Sequence, residues 1–418
     1  MQDNLKNLHT NSYHSFRKYL DEVYYVHAKT PVIPLSLGYP ISKVFPLPNQ
    51  VLEKLNPFEK NGTEKIRPGY GWEAGSQPLR ETILKFENTR HSTHYTLENI
   101  CMTAGGSYGI NRVMEHLFCQ MKSDKNEVLI VAPTFYRMLN RFEEYAIVKN
   151  YFTQRINLFQ PTVRDLEKLD LSRTRAIFIC NPTNPGYNYV HKKNLQDLIE
   201  FLNKKKIYLI IDEVGDNFFH SVYFRYPKHI QSKYVIRICS SSKAYQLAEY
   251  RLGYIIADSH FIGTKTNGFV KLIGDDMGNP PLAANDAWQY ILESETEWIS
   301  EGRINSRNEY QKATKTNEIN ARNKCNLVIE SLQKSYYVTD IIIPDASFNV
   351  TFQWKSKRIF SDFEFFKQLL QSKHVSLVPC SGFGFDAKQN YMRLTFAVPD
   401  DVLQKGLLNI LEFLDEIN

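Results

Sequence analysis

The order of apolar runs along the chain predicts an α/β protein, with a large domain on a mostly parallel sheet and a smaller α+β domain after it. Three observations carry this. In the middle of the sequence, short β-branched runs alternate with longer amphipathic stretches. Several of these runs are apolar almost throughout, as in strands covered on both faces. Beyond about residue 297 the alternation gives way to a polar stretch and then to shorter strand signals.

Taken in order, the first fifty residues hold Pro31, Pro34, Pro40, Pro46 and Pro48, which exclude long regular elements. They are expected to form an arm plus a strand packed on the smaller domain. Strands are expected at Glu127 to Val131, Arg175 to Ile179, Ile207 to Ile211, Val235 to Cys239 and Leu252 to Ala257. Helices are expected at Ser107 to Met121, with Ile110, Val113, Met114 and Leu117 on one face, and at His191 to Lys205. The Asn/Lys/Glu-rich, proline-free stretch from Glu297 to Lys334 predicts one long, partly exposed helix. Strands at Thr339 to Ile343, Asn349 to Trp354 and Tyr391 to Phe396 follow, with helices near Ser361 to Ser372 and Asp400 to Leu414. The expected division is 51–300 for the large domain, and 1–50 with 301–418 for the small one. No internal repeat is visible.

Composition narrows the class. The 418 residues are 43% hydrophobic and 23% charged, a globular balance that excludes a collagen-like fibre or a disulfide-rich miniprotein. No apolar run approaches the roughly eighteen residues of a membrane helix. The opening MQDNLKNLHTNSYHSF lacks the apolar core of a signal peptide. A soluble, cytoplasmic protein without a membrane partner is expected. The excess of 51 basic over 45 acidic residues is a net +6, spread thinly. The basic runs Lys204-Lys205-Lys206 and Lys355 to Arg358 are short, and the first reads as a helix end, so no nucleic-acid partner is expected. The six cysteines form no CxxC pair and no metal-ligand spacing, so neither disulfides nor a metal site is expected.

Five local features carry the chemistry. Thr103-Ala104-Gly105-Gly106-Ser107 opens a helix, where free amides and a close backbone can hold an anion; a ligand-free turn is the alternative. Pro133-Thr134-Phe135-Tyr136 follows a strand, and its aromatic can stack on a flat ring or fill core. Asn181-Pro182-Thr183-Asn184-Pro185-Gly186 makes a rigid turn that holds the Asn184 amide at the sheet's mouth. Asp212, in Asp212-Glu213-Val214, ends a buried strand, where a carboxylate needs a partner such as a protonated ring nitrogen. Ser240-Ser241-Ser242-Lys243 ends another strand, with Arg251 eight positions on. A lysine in a covered crevice can lose its proton and attack an aldehyde, while the hydroxyls and Arg251 grip a phosphate. The implied ligand has a phosphate, a flat ring with a basic nitrogen, a ring oxygen and an aldehyde, which is pyridoxal 5′-phosphate.

On these residues the sequence resembles the class I/II aminotransferases, the fold-type I pyridoxal-phosphate-dependent enzymes, over nearly its whole length. Leu37-Gly38-Tyr39-Pro40 is similar to the family's glycine motif beside the substrate. Tyr70, Gly75 and Leu79-Arg80 match its tyrosine-glycine-leucine-arginine block. The steps of 28 residues from Asn184 to Asp212, 31 to Lys243 and 8 to Arg251 also fit. The resemblance implies roles. Lys243 would form the internal aldimine and shuttle the proton, and Asp212 would keep the pyridinium nitrogen protonated. Asn184 would bond the ring oxygen and Phe135 would stack on the ring. Gly105, Gly106, Ser107, Ser240 and Arg251 would hold the phosphate, with Tyr70 from the neighbouring chain of a homodimer. Gly38 and Asn184 would lie against the substrate. Arg393, in Met392-Arg393-Leu394-Thr395-Phe396-Ala397, would bind the substrate α-carboxylate.

The sequence also departs from the family pattern. The tyrosine usual three positions after the aspartate is Gly215, and Asn-Pro-Thr-Gly is shortened to Asn184-Pro185-Gly186. Losing a donor to the ring oxygen predicts a raised aldimine pKa, unless a nearby side chain substitutes. The carboxyl-terminal proline-glycine turn reads Pro379-Cys380-Ser381-Gly382, and a frequent paired glycine is Ala346-Ser347. The expected activity is amino transfer between an α-amino acid and a 2-oxo acid by a specialised member. A lyase, cyclase or oxidase working through a quinonoid intermediate is the alternative. A ligand-sensing regulator is disfavoured, because fifty proline-broken residues leave too little chain for a winged helix. The stretch Gly274-Asp275-Asp276-Met277-Gly278-Asn279-Pro280-Pro281 reads as a solvated loop, or as acidic groups favouring a basic substrate side chain.

Overall fold

A computed structural model describes residues 16–24, 30–56, 70–135, 138, 141–216 and 224–418. The amino-terminal segment contributes a two-residue strand, β1 (Ile33–Pro34). Seven strands follow: β2 (Ile100–Thr103), β3 (Glu127–Ala132), β4 (Ile147–Phe152), β5 (Thr174–Cys180), β6 (Tyr208–Asp212), β7 (Val235–Ser240) and β8 (Gly253–Ile256). They form one sheet in the order β2-β8-β7-β6-β5-β3-β4. β4, β3, β5, β6 and β7 run parallel, and β8 is antiparallel to both its neighbours.

The helices on the two faces account for the continuous apolar strands. Ile110, Val113 and Leu117 pack with Phe178 and Ile238 on one face, and Leu195, Leu198 and Leu202 with Ile177 and Ile211 on the other. The five expected strands are all present within a residue or so at each end. β2 and β4 lie outside those expectations for different reasons. β2 is a four-residue run, and β4 is an edge strand with only Val148 fully buried, so its sequence stays half polar. The helix Gly106–Glu115 continues into a wider π-type turn, His116–Gln120, and Lys192–Lys204 is helical as expected.

The long helix expected over 297–334 is two helices, Asn285–Glu301 and Glu309–Gln333. Gly302, at φ +66, ends the first in the left-handed conformation, its N–H bonding Trp298 O at 2.9 Å. Asn308 caps the second, accepting from the Gln311 N–H at 3.1 Å. The uniformly polar composition hid both boundary signals.

The second sheet is antiparallel: β9 (Val338–Ile342), β10 (Asn349–Trp354), β12 (Val378–Pro379) and β13 (Tyr391–Thr395), in the order β12-β13-β10-β9. β1 pairs in parallel with the short β11 (Val375–Ser376) beside it. Helices Asp362–Lys373 and Asp400–Glu416 cover this sheet, with Trp354 stacked on Phe365 at 4.3 Å. Phe16, Leu20, Leu35 and Phe45 join the same core, so the amino-terminal arm packs there as expected. No helix among the described residues is long and apolar enough to cross a membrane. The six cysteines are free.

A buried ionic network ties the helix Gln77–His91 to the sheet. Arg237, in β7 and fully buried, donates to Glu213 at 2.6 and 2.8 Å and to Glu87 at 2.6 Å. Arg90 donates to both oxygens of Asp216 at 2.7 and 3.0 Å, and the Tyr189 hydroxyl donates to the same carboxylate at 2.6 Å. Glu213 and Asp216 flank the turn after Asp212, so the network braces that turn. Arg237→Ala leaves two buried carboxylates without their cation, and breaking such a pair costs about 3–5 kcal/mol. A fall in unfolding free energy of that size is expected in urea titration; a loss under 1 kcal/mol would mean the network is not needed for stability.

Candidate active site

The carboxyl ends of β3, β5, β6 and β7 open on a cavity of about 250 Å³, closed on the far side by β13 and the segments around Gly38 and Phe383. Asp212 is the last residue of β6 and is 6% exposed. Its Oδ1 accepts the Val214 N–H at 3.0 Å, and Cys180 Sγ lies 3.8 Å from Oδ2. Burial outweighs these neutral donors and pushes its carboxyl up to about 6.

Lys243 lies on the turn after β7, and its Nζ donates to Gly38 O. Burial first, then the cations of Arg393 and Arg251, push its amine down to about 8. Arg393, on β13, is 7% exposed with its guanidinium over the Phe383 ring at 5.0 Å. Its Nη1 is 3.4 Å from Asn184 Oδ1, while its buried Nε has no hydrogen-bond partner among the described residues. Phe135 follows β3 and is held toward the small sheet, where Thr134 N–H donates to Phe383 O at 2.9 Å.

The opposite end of the cavity is a ring of donors. The helix Gly106–Glu115 begins there with Ser107, beside Ser240, Ser242 and Arg251. Gly105, at φ +84, could not be another residue without strain, and a Cβ on it would lie 2.6 Å from Arg251 Nη2. Ser240 Oγ donates to Ser242 Oγ at 2.8 Å, and Arg251 Nη1 is anchored on Ala248 O at 2.8 Å.

Of the residues singled out in the sequence, Gly38, Gly106, Ser107, Phe135, Asn184, Asp212, Ser240, Lys243, Arg251 and Arg393 line this one cavity. Gly105 sits against Arg251 at its edge. Tyr70 does not line it: the side chain is 92% exposed, beside Gly278. Tyr136 lies outside the described residues. Ser242 lines it too, as one of the three hydroxyls expected at a phosphate, whereas Ser241 is buried away from it and donates to Leu252 O at 3.2 Å. Tyr187, Val214 and Phe383 line the cavity without having been expected to. Of these, Tyr187 had a local signal, since it follows the Asn-Pro-Gly turn directly. The stretch 274–281 is not all loop, because the helix Gly268–Met277 runs into it until Gly278 ends that helix at φ +73. Asp275 pairs with Lys271, and Asp276 accepts from the Tyr108 hydroxyl, so both carboxylates are engaged within the chain.

Comparison with known proteins agrees with this geometry. The family model described as aminotransferase class I and II matches residues 32–410. The chain is 24% identical over 390 residues to an aspartate aminotransferase of Thermotoga maritima, covering 92% of each. It is 25% identical over 370 residues to a (5-formylfuran-3-yl)methyl phosphate transaminase of Methanocaldococcus jannaschii, covering 86% of this chain and 88% of that protein. Among solved structures, aspartate aminotransferase from Thermus thermophilus with maleate superposes with a TM-score of 0.79 at 18% identity, over 99% of both chains.

Proposed function

Because the chain belongs to the class I and II aminotransferases, we propose that it moves an amino group between an α-amino acid and a 2-oxo acid using pyridoxal phosphate bound in this cavity. The observation that carries the reading is the buried Asp212 carboxylate, met among the described residues by neutral donors, in one cavity with an amine pushed down to about 8. A cationic ring nitrogen would satisfy that carboxylate and hold it ionised. The Gly105–Gly106 cradle with Ser107, Ser240 and Arg251 fits a phosphate, and the orphan Nε of Arg393 fits a carboxylate oxygen.

When bound, pyridoxal phosphate supplies an electron sink for the pair released at the substrate Cα and carries the amino group between half-reactions. This chain's residues supply the rest. Arg393 binds the substrate α-carboxylate and orients the α-hydrogen toward Lys243. Lys243 Nζ takes and returns that proton, and an amine near 8 can do so around neutral pH. Asn184, within reach of Arg393, would hold the cofactor's ring oxygen, and Phe135 would support the ring face. Gly38, whose carbonyl holds Lys243, borders the substrate.

The division into 51–300 and 1–50 with 301–418 is supported by the separate hydrophobic clusters on the two sheets. A homodimer is supported by the near-complete exposure of Tyr70, with Trp72 beside it in sequence 67% exposed. In that reading each Tyr70 serves the other chain's phosphate site. Activity in the cytoplasm fits the free cysteines.

A visible spectrum tests the function. The purified protein should show a yellow band that bleaches with a suitable L-amino acid, without any keto acid, and returns with a 2-oxo acid. Product formation without a keto-acid acceptor would mean lyase, cyclase or oxidase chemistry instead. No bound cofactor after adding pyridoxal phosphate would end the reading of Asp212, Lys243 and Arg251.

A further inference from the structure

Gly215 stands three residues after Asp212, where the family resemblance leads one to expect a tyrosine donating to the cofactor ring oxygen. The space in front of it is filled. A Cβ at 215 would meet Tyr187 Cε1 at 3.3 Å, and Tyr187 Cδ1 and Pro182 Cγ at 3.6 Å. Gly215 is not among the residues at positive φ, so the Tyr187 ring, rather than the backbone, opposes a side chain there.

Tyr187 follows Asn184-Pro185-Gly186, the turn that is one residue short of the family pattern. Its own backbone is left-handed, at φ +57. Its N–H donates to Thr183 O at 2.6 Å, and its carbonyl accepts from the N–H groups of Asp345 and Ala346 at 3.1 and 3.4 Å. These bonds fix the backbone of the residue between the turn and the loop leading to β10. Tyr187 is 7% exposed and lines the cavity with Asn184, Asp212, Lys243 and Arg393. Burial pushes the Tyr187 phenol up, and the facing Asn349 side chain, 1% exposed, opposes that as a polar neighbour of the hydroxyl.

We propose that Tyr187 takes the place of the side chain missing at 215, its hydroxyl donating to the cofactor ring oxygen beside Asn184. The two departures from the family pattern are then one coupled change: the shortened turn delivers the ring, and Gly215 makes room for it. This rests on the pyridoxal-phosphate reading above. A phenol bonded to the ring oxygen stabilises its anionic form, which lowers the proton affinity of the adjoining nitrogen. Removing the donor raises the pH at which the bound cofactor's visible band titrates.

The test is a pH titration of that band in the holoenzyme. Tyr187→Phe keeps the ring and should raise the midpoint by about one to two pH units, the size expected for losing one hydrogen bond to a charged group. Tyr187→Ala should raise it as well, and Tyr187→Ala combined with Gly215→Tyr should bring it back toward the wild-type value. A Tyr187→Phe protein that binds cofactor fully and titrates with the wild type overturns the proposal. So does a double variant that holds cofactor but stays at the raised midpoint. A wild-type protein that binds no cofactor would instead remove the underlying reading.

Discussion

With Lys243 in its proposed role, replacing it with alanine should lower the rate of the amino-acid half-reaction by about 10⁴-fold, the upper range for a positioned acid–base group. Lys243→Arg falls equally far, because a guanidinium keeps its charge but cannot give up its proton. The comparison separates charge from proton transfer at one position. The same amine sets a pH dependence in the chain before cofactor is added. Its folded value of about 8 lies below the ordinary 10.5, so the neutral form becomes the majority above pH 8. Reactivity of Lys243 toward an aldehyde therefore rises as pH passes 8 and is already level by pH 10. Single-turnover spectra check the first statement and aldehyde trapping the second. Either variant retaining a tenth of wild-type activity would mean that another group carries the proton.

The second large effect is at Arg393. In the proposed role of Arg393, removing its guanidinium with Arg393→Ala would take away two charge-assisted bonds to the substrate carboxylate, each worth about 1.5–3 kcal/mol. A fall in kcat/KM of about two to four orders of magnitude is expected, most of it in KM where the contact is equal in ground and transition states. Arg393→Lys restores only part, since an ammonium cannot match the planar two-point geometry. An amine substrate without the carboxylate should be insensitive to the change. Equal losses for both substrate types would show that Arg393 supports the fold of the site rather than the substrate.

How much of this was legible in the sequence depended on how local each signal was. Asp212 ends a strand that is apolar up to it, Lys243 follows three residues after the end of β7, and the parallel sheet brings those strand ends to one edge. Arg393 lies 150 positions after Lys243, yet its strand β13 closes the same cavity. The two-helix break at Gly302 was missed because one glycine in a polar stretch competes with many helix-forming neighbours. β4 was missed because an edge strand buries too little to show a continuous apolar run.

Fold class, the ordered set of cofactor-type residues and the resemblance to aminotransferases were determined by sequence alone, because strand periodicity and motif order are properties of neighbours along the chain. Tertiary structure alone decided that, among the described residues, Asp212 meets no cation and Arg393 Nε no hydrogen-bond partner, that Asp275 and Asp276 are engaged internally, and that Tyr187 fills the space before Gly215. Each of these depends on burial and on contacts between segments far apart in the chain, and desolvation and hydrogen-bond satisfaction are set by what surrounds an atom in space.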